Sequence, residues 1–112
     1  MIDMKVQLSA EQRALVDTVH DLARSKFRGR ALKYMDGTFP WENMRELADL
    51  GILGMAVPEE YGGSGLPVLD TALVIEEVAK VCYPTAMALM GEVGVQTRII
   101  STYAPEIGRA HV

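Results

Sequence analysis

The stretch VPEEYGGSG, residues 57–65, decides the fold, because it separates two segments with helical periodicity and cannot itself continue a helix. Pro58 disfavours helical backbone at the residue before it, and Pro67 restricts the exit from the stretch. Positive φ is open to its three glycines, Gly62, Gly63 and Gly65. We therefore predict a shaped crossover loop over about residues 57–67 that joins one helix to the next.

Phosphate binding is an alternative role for this glycine-rich loop. YGGSG lacks the Lys of a P-loop, and it also lacks the strand, the spacing and the later acid of a dinucleotide fingerprint. A structural role in joining helices is therefore the favoured interpretation of the loop.

The segment before the loop begins with a long helix. Ser9 and Gln12 have the spacing of a capping box, in which the side chains and backbone N–H groups of the two residues bond reciprocally. Apolar residues then recur at intervals that place them on one face of about seven turns: Leu15, Val19, Leu22, Ala23, Phe27 and Ala31. We predict that this face lies in the core. The basic residues near the end of the helix match its dipole, which is favoured over phosphate binding.

A second, shorter helix is predicted from about Pro40 to Leu50. Proline is tolerated at the start of a helix because its missing N–H would have no partner there. Gly51 stands where a left-handed cap residue is needed. The predicted inner face contains Met44, Leu47, Ala48 and Trp41. The segment ILGMAV, residues 52–57, then connects this helix to the loop.

A third helix is predicted from Val68 onward. Its predicted core face contains Val68, Ala72, Ile75, Ala79 and Cys82, widened by Leu73 and Val78. Glu76 and Glu77 could suggest acid–base or metal chemistry, but adjacent helical residues point about 100° apart and no His or third acid lies at helical spacing. We predict solvated or interface carboxylates at these two positions.

The last helix runs from the YPT corner, residues 83–85, to about Tyr103. One of its faces carries flexible thioethers and missing side chains: Met87, Met90, Gly91, Gly94 and Thr97. Each glycine lowers helix stability by up to about 1 kcal/mol relative to alanine, so the pair indicates that something approaches the backbone there. From the spacing, a neighbouring helix is favoured over a long apolar ligand, and both stay open.

Composition limits the possible functions. The 112 residues are 49% hydrophobic and carry a net charge of −4 with a pI near 5.1, which gives no general attraction to nucleic acid or to an anionic membrane. No basic recognition helix follows a tight turn, so a helix-turn-helix DNA binder is disfavoured. The single cysteine, Cys82, is predicted to be a small core residue.

These patterns predict one all-α domain over residues 1–112, an antiparallel bundle of about four main helices with a glycine-rich crossover loop. The sequence contains no apolar run near the ~18 residues of a membrane span. The N-terminal MIDMKVQLSAEQ lacks the regions of a signal peptide. We therefore expect a cytoplasmic location and no membrane span.

Residues 39–81, FPWENMRELADLGILGMAVPEEYGGSGLPVLDTALVIEEVAKV, resemble the N-terminal helical region of acyl-CoA dehydrogenases. These flavoproteins introduce a double bond between Cα and Cβ of an acyl thioester. The most specific part is a helix ending in Leu-Gly, an apolar connector, Pro-Glu-Glu-Tyr-Gly-Gly-x-Gly, and a helix containing Glu-Glu. The resemblance extends from about Leu8 to Pro105, and GRAHV, residues 108–112, departs from the usual continuation.

The resemblance implies a larger enzyme, a homotetramer built from an N-terminal helical, a middle β and a C-terminal helical domain. FAD and the catalytic base are implied to belong mainly to the later domains, so we expect no catalytic, cofactor-binding or metal-binding residue here and no turnover by this chain alone. An acyl-CoA substrate and an electron-transfer partner are implied for the complete enzyme. The acyl-chain wall of the family falls on Met87, Met90, Gly91, Gly94 and Val95.

The alternative function is a non-enzymatic helical module. Such a module would bind an acyl group or a partner protein through surface that the other domains normally cover, and an exposed apolar patch would be its sign.

Overall fold

The computed structural model describes residues 7–103, which form five α-helices and no strand. The helices are α1 (Ala10–Leu22), α2 (Trp41–Asp49), α3 (Val68–Ala79), α4 (Tyr83–Leu89) and α5 (Thr97–Tyr103). The prediction of an all-helical bundle is confirmed. The predictions made for residues 1–6 and for GRAHV lie outside the described range.

The predicted capping box starts α1. The Gln12 N–H donates to Ser9 Oγ at 3.1 Å, and the Ser9 N–H donates to Gln12 Oε1 at 3.0 Å. Regular α geometry ends at Leu22, earlier than predicted, and the chain continues through a π-helical turn and 3₁₀ turns at Ala23–Phe27, Arg28–Arg30 and Lys33–Asp36. The predicted core face is confirmed, because Val19, Ala23 and Phe27 are buried and Leu15, Leu22 and Ala31 pack partly against the core.

The core face of α2 differs in part from the prediction. Met44 and Leu47 are buried as predicted, but Ala48 is exposed and Trp41 is 62% exposed. Asn43 is buried in their place. Its side-chain amide is hydrogen-bonded on both sides, so it can enter the core without the penalty of an unpaired polar group. A pattern built on hydrophobicity alone assigns such a residue to the surface.

The crossover loop is held by backbone contacts, as expected for a structural element. The Gly65 N–H donates to the Val57 carbonyl at 2.8 Å, and the Leu66 N–H donates to the Met55 carbonyl at 2.8 Å. At Gly63 a Cβ atom would overlap the carbonyl group and side chain of Val57, so only glycine fits there. The predicted glycine cap is also confirmed, since Gly51 has φ of 79°.

The core face of α3 was predicted wrongly. Val68 is 60% exposed and Ala72 and Ala79 are exposed, whereas Thr71, Val74 and Val78 are buried. Apolar residues occur almost all around α3, at 68, 69, 72–75, 78 and 79, so periodicity alone cannot select a face. The contacts of α3 with α1 and α4 select it, and of the predicted residues only Val78 and Cys82 are fully in the core.

Candidate functional site

The residues predicted to contact an acyl chain lie together on α4 and on the π-helical segment Met90–Gln96 that continues it. We call Met87, Met90, Gly91, Gly94 and Val95 the candidate acyl wall. Its three larger side chains are 44%, 42% and 51% exposed, in that order. Ala86, Leu89 and Val93 of the same segment are buried in the core, so the wall occupies the flank that the core leaves uncovered.

The two glycines of the wall face open space within the described part of the chain. A Cβ atom at Gly91 would meet no atom within 4 Å, and one at Gly94 would meet only Met90 Cγ, at 3.8 Å. No helix of residues 7–103 therefore packs on these glycines. Of the two interpretations of this face, packing by a neighbouring helix finds no support in this range.

The wall coincides with an irregularity of the helix. Residues Met90–Gln96 form seven residues of π-helix between α4 and α5, and both glycines lie within them. π-helical segments are rare in proteins, and those that occur often lie at functional sites. The glycine pattern signalled this position in the sequence, whereas nothing in the sequence signalled the change of helix type.

A buried polar network holds the start of α4. Asn43 Nδ2 donates to Thr85 Oγ1 at 2.9 Å, and Arg30 Nη1 donates to Asn43 Oδ1 at 2.8 Å. The same Arg30 nitrogen donates to Glu46 Oε1 at 2.9 Å, and this hydrogen bond is the main reason why the pKa of the Arg30 guanidinium is raised. Sequence reasoning missed Asn43 and Thr85, because neither belongs to an apolar repeat.

The adjacent carboxylates of α3 lie outside the wall and have different environments. Glu76 is exposed, whereas Glu77 is largely buried and lies 3.0 Å from Lys80 Nζ and 3.1 Å from His20 Nδ1. Burial by itself raises the pKa of Glu77, but hydrogen bonds from Lys80 and His20 outweigh it and hold that pKa below its ordinary value. Glu76 is solvated, as predicted, whereas Glu77 is largely buried against His20 of α1. A role of either carboxylate at an interface stays a prediction.

A cleft of about 490 Å³ lies between the start of α1 and the exit of the crossover loop, where no site was predicted. Its lining residues share nothing with the wall: Ser9, Glu11, Gln12, Leu15, Leu66, Pro67 and Asp70. Gln12 Nε2 donates to Asp70 Oδ1 at 2.8 Å across it.

Within residues 7–103, no group of three or more His, Cys, Asp or Glu could hold a metal ion. None of the helices in the same range is long and apolar enough to cross a membrane.

Comparison with known families decides what this helical unit is. A family model described as "Acyl-CoA dehydrogenase, N-terminal domain" matches residues 9–111. This chain belongs to the acyl-CoA dehydrogenase family. The match covers the capping box, the crossover loop and the candidate wall of this acyl-CoA dehydrogenase N-terminal domain, so the resemblance seen in residues 39–81 is confirmed.

Individual relatives of this acyl-CoA dehydrogenase domain carry several activities in their names. A "3-sulfinopropanoyl-CoA desulfinase" of Advenella mimigardefordensis is 39% identical over 83% of this chain and 22% of its own length. A "Cyclohex-1-ene-1-carbonyl-CoA dehydrogenase" of Syntrophus aciditrophicus is 35% identical over 94% of this chain and 26% of its own length. An "Acyl-CoA dehydrogenase, short-chain specific" of Clostridium acetobutylicum is 30% identical over 92% of this chain and 27% of its own length. The chain thus spans about a quarter of the length of these relatives.

Proposed function

We propose that this chain supplies one wall of the acyl-binding pocket of a flavin-dependent acyl-CoA dehydrogenase and helps to seat the other domains of that enzyme. The observation that carries the proposal is the open space beside Gly91, where a Cβ would meet no atom of the described residues within 4 Å. The names of the relatives support a thioester substrate, since those cited above are named for acyl-CoA compounds or for an acyl-CoA activity.

The wall is suited to a hydrocarbon chain. Met87 and Met90 present flexible, polarizable thioethers that adapt to an apolar surface, and the glycines let that surface approach the backbone. Burial of each methylene of a ligand contributes about 0.8 kcal/mol, so affinity should rise with acyl length until the available surface is covered. The wall contributes binding and orientation, while proton removal and redox chemistry require groups outside it.

Neither the candidate acyl wall nor the cleft near α1 fits FAD by itself. The wall offers only apolar side chains and glycines, and the cleft near α1 is lined by the carboxylates Glu11 and Asp70, which would repel a pyrophosphate. We therefore propose that FAD binds the complete enzyme mainly through other polypeptide. FAD would supply the hydride acceptor there, and this chain alone should show no turnover.

The test titrates the purified chain with acyl-CoA thioesters of increasing chain length, with free CoA as the reference ligand. We expect affinity to increase with acyl length for the wild type and to lose that dependence in Gly91→Leu, which places a side chain on the wall. Ala14→Leu adds the same side chain at an exposed position of α1 and should behave as wild type. Affinity that is independent of acyl length would contradict the proposal, as would acyl-CoA-dependent reduction of an electron acceptor by the chain alone.

A second candidate function is a non-enzymatic interaction module. The observation in its favour is α5, which has no buried residue and exposes Ile99, Ile100 and Tyr103. Concentration-dependent self-association without any acyl-CoA binding would favour the module.

For the complete enzyme we propose a homo-oligomer that passes electrons to a protein partner. Sedimentation of the longer protein would test the oligomer.

A further inference from the structure

Asn43 is a buried polar side chain of α2, and both ends of its amide are hydrogen-bonded. It is fully buried, like Thr85, to which its Nδ2 donates at 2.9 Å. Its Oδ1 accepts from Arg30 Nη1 at 2.8 Å. Because a guanidinium only donates hydrogen bonds, this contact determines which end of the amide faces Thr85. A buried amide that lost these partners would be strongly unfavourable, so the geometry is well defined.

The network connects three parts of the fold. Arg30 ends the 3₁₀ turn Arg28–Arg30 that follows α1, Asn43 belongs to α2, and Thr85 lies in the first turn of α4. Cys82, directly before α4, provides no side-chain hydrogen bond to cap that helix, and its Sγ lies 3.1 Å from Thr85 Oγ1 and 3.8 Å from Asn43 Nδ2. Thr85 in the first turn of α4 is therefore hydrogen-bonded both to Cys82, directly before the helix, and to Asn43, which comes from another helix.

The orientation of α4 also determines where the candidate acyl wall points. Met87 lies two residues after Thr85 in the same helix, and the helical segment runs without interruption to the two glycines. Leu89 and Val93 hold this segment by apolar contacts, which depend little on direction, whereas a hydrogen bond tolerates only a narrow range of angles. Rotation of α4 by roughly 20° would move side-chain ends by about 2 Å.

We propose that Asn43 is a positioning residue for the candidate acyl wall, acting through Thr85. It holds α4 in the rotation that turns Met87 and Met90 toward the ligand. This inference rests on the proposed function of the wall, but the position of the two methionines can be measured without any ligand.

The decisive variants are a matched pair at Thr85. Thr85→Val keeps the shape of the side chain and removes the hydroxyl, and Thr85→Ser keeps the hydroxyl and removes a methyl group. Asn43→Ala is less suitable, since it also leaves the Arg30 guanidinium without its buried acceptor. The measurement is methyl NMR of the chain labelled at methionine methyl groups, with the buried Met55 as an internal reference.

We expect Thr85→Val to shift the methyl resonances of Met87 and Met90 while that of Met55 stays in place, and Thr85→Ser to resemble wild type. Unchanged Met87 and Met90 resonances in Thr85→Val would overturn the proposal. Equal shifts in both variants would overturn it too, because they would trace to packing rather than to the hydroxyl.

Ligand titrations of the same variants separate this inference from the proposed function. Where wild type shows affinity that depends on acyl length, Thr85→Val should weaken binding of the preferred thioester roughly tenfold, comparable to burying two fewer methylenes, and change that of free CoA less than about twofold. If the wild-type chain binds no acyl-CoA, the proposed function is overturned. The part of this inference that links Asn43 to substrate binding is then overturned as well. The methionine shifts would then still show whether Asn43 and Thr85 orient α4. Equal affinities of Thr85→Val and wild type would contradict the inference alone.

Discussion

His20 of α1 and Glu77 of α3 join two helices that are far apart in the sequence, through a contact of 3.1 Å between Nδ1 and Oε2. Lys80 Nζ lies 3.0 Å from the other oxygen of the same carboxylate. Since Glu77 is largely buried, we expect Glu77→Gln to lower the free energy of unfolding by about 1–2 kcal/mol. Glu76→Gln, at the exposed neighbouring position, is the control and should change it by less than about 0.5 kcal/mol. Urea unfolding at neutral pH measures both.

The same carboxylate predicts a pH dependence of stability. The pKa of Glu77 in the folded chain lies below its ordinary value of 4.5, because hydrogen bonds from Lys80 and His20 outweigh the effect of burial. The stabilisation is therefore fully present above the unfolded-state pKa and is lost as pH falls through the lower folded-state pKa. Wild type should lose stability more steeply than Glu77→Gln as the pH falls below about 4.5. Parallel curves for the two proteins would contradict this assignment.

Gly63 in the crossover loop should not tolerate a side chain. A Cβ there would overlap backbone and side-chain atoms of Val57, so Gly63→Ala must displace the loop and should destabilise the chain by about 2 kcal/mol or more. Gly54→Ala is the matched control, because a Cβ at Gly54 meets no atom within 4 Å of it and its φ is not positive. Thermal unfolding of both variants decides this, and equal melting temperatures would show that the loop is not closely packed.

Two valines of α3 test which of its faces lies in the core. Val68 was predicted to lie in the core but is exposed, whereas Val74, which the predicted face did not include, is buried. Val74→Ala should cost about 2 kcal/mol through lost burial and a residual cavity, and Val68→Ala about 0.5 kcal/mol or less. Chemical denaturation measures the free energy of unfolding of both variants. A larger loss in Val68→Ala than in Val74→Ala would contradict the observed core face.

Gly91→Ala should stabilise the chain by about 0.5–1 kcal/mol. The residue is helical and a Cβ meets no described atom within 4 Å, so alanine gains helix propensity without a clash. A rise in melting temperature is the expected result. A decrease would show that something packs on this glycine in solution, in agreement with the helix-packing interpretation of the face.

The sequence by itself determined the features that depend on residues close together in the chain. The capping box of Ser9 and Gln12, the cap at Gly51 and the crossover loop were predicted correctly, and the loop contains no α-helix, only the 3₁₀ turn Glu59–Tyr61. Each follows from hydrogen bonds or backbone sterics within a few residues, which the local sequence specifies completely. The long amphipathic face of the first helix was predictable for the same reason, since its apolar residues form a single stripe.

Only the tertiary structure decided what each helix packs against. The sequence could not select the buried face of α3, because that helix is apolar almost all around and α1 and α4 make the choice. It assigned Trp41 to the core and overlooked Asn43, whose burial depends on Arg30 and Thr85, partners 13 and 42 residues away. The open space beside Gly91 likewise follows from the positions of all neighbouring helices. Burial and polar pairing are properties of the assembled core, and local periodicity contains no information about which distant residues complete it.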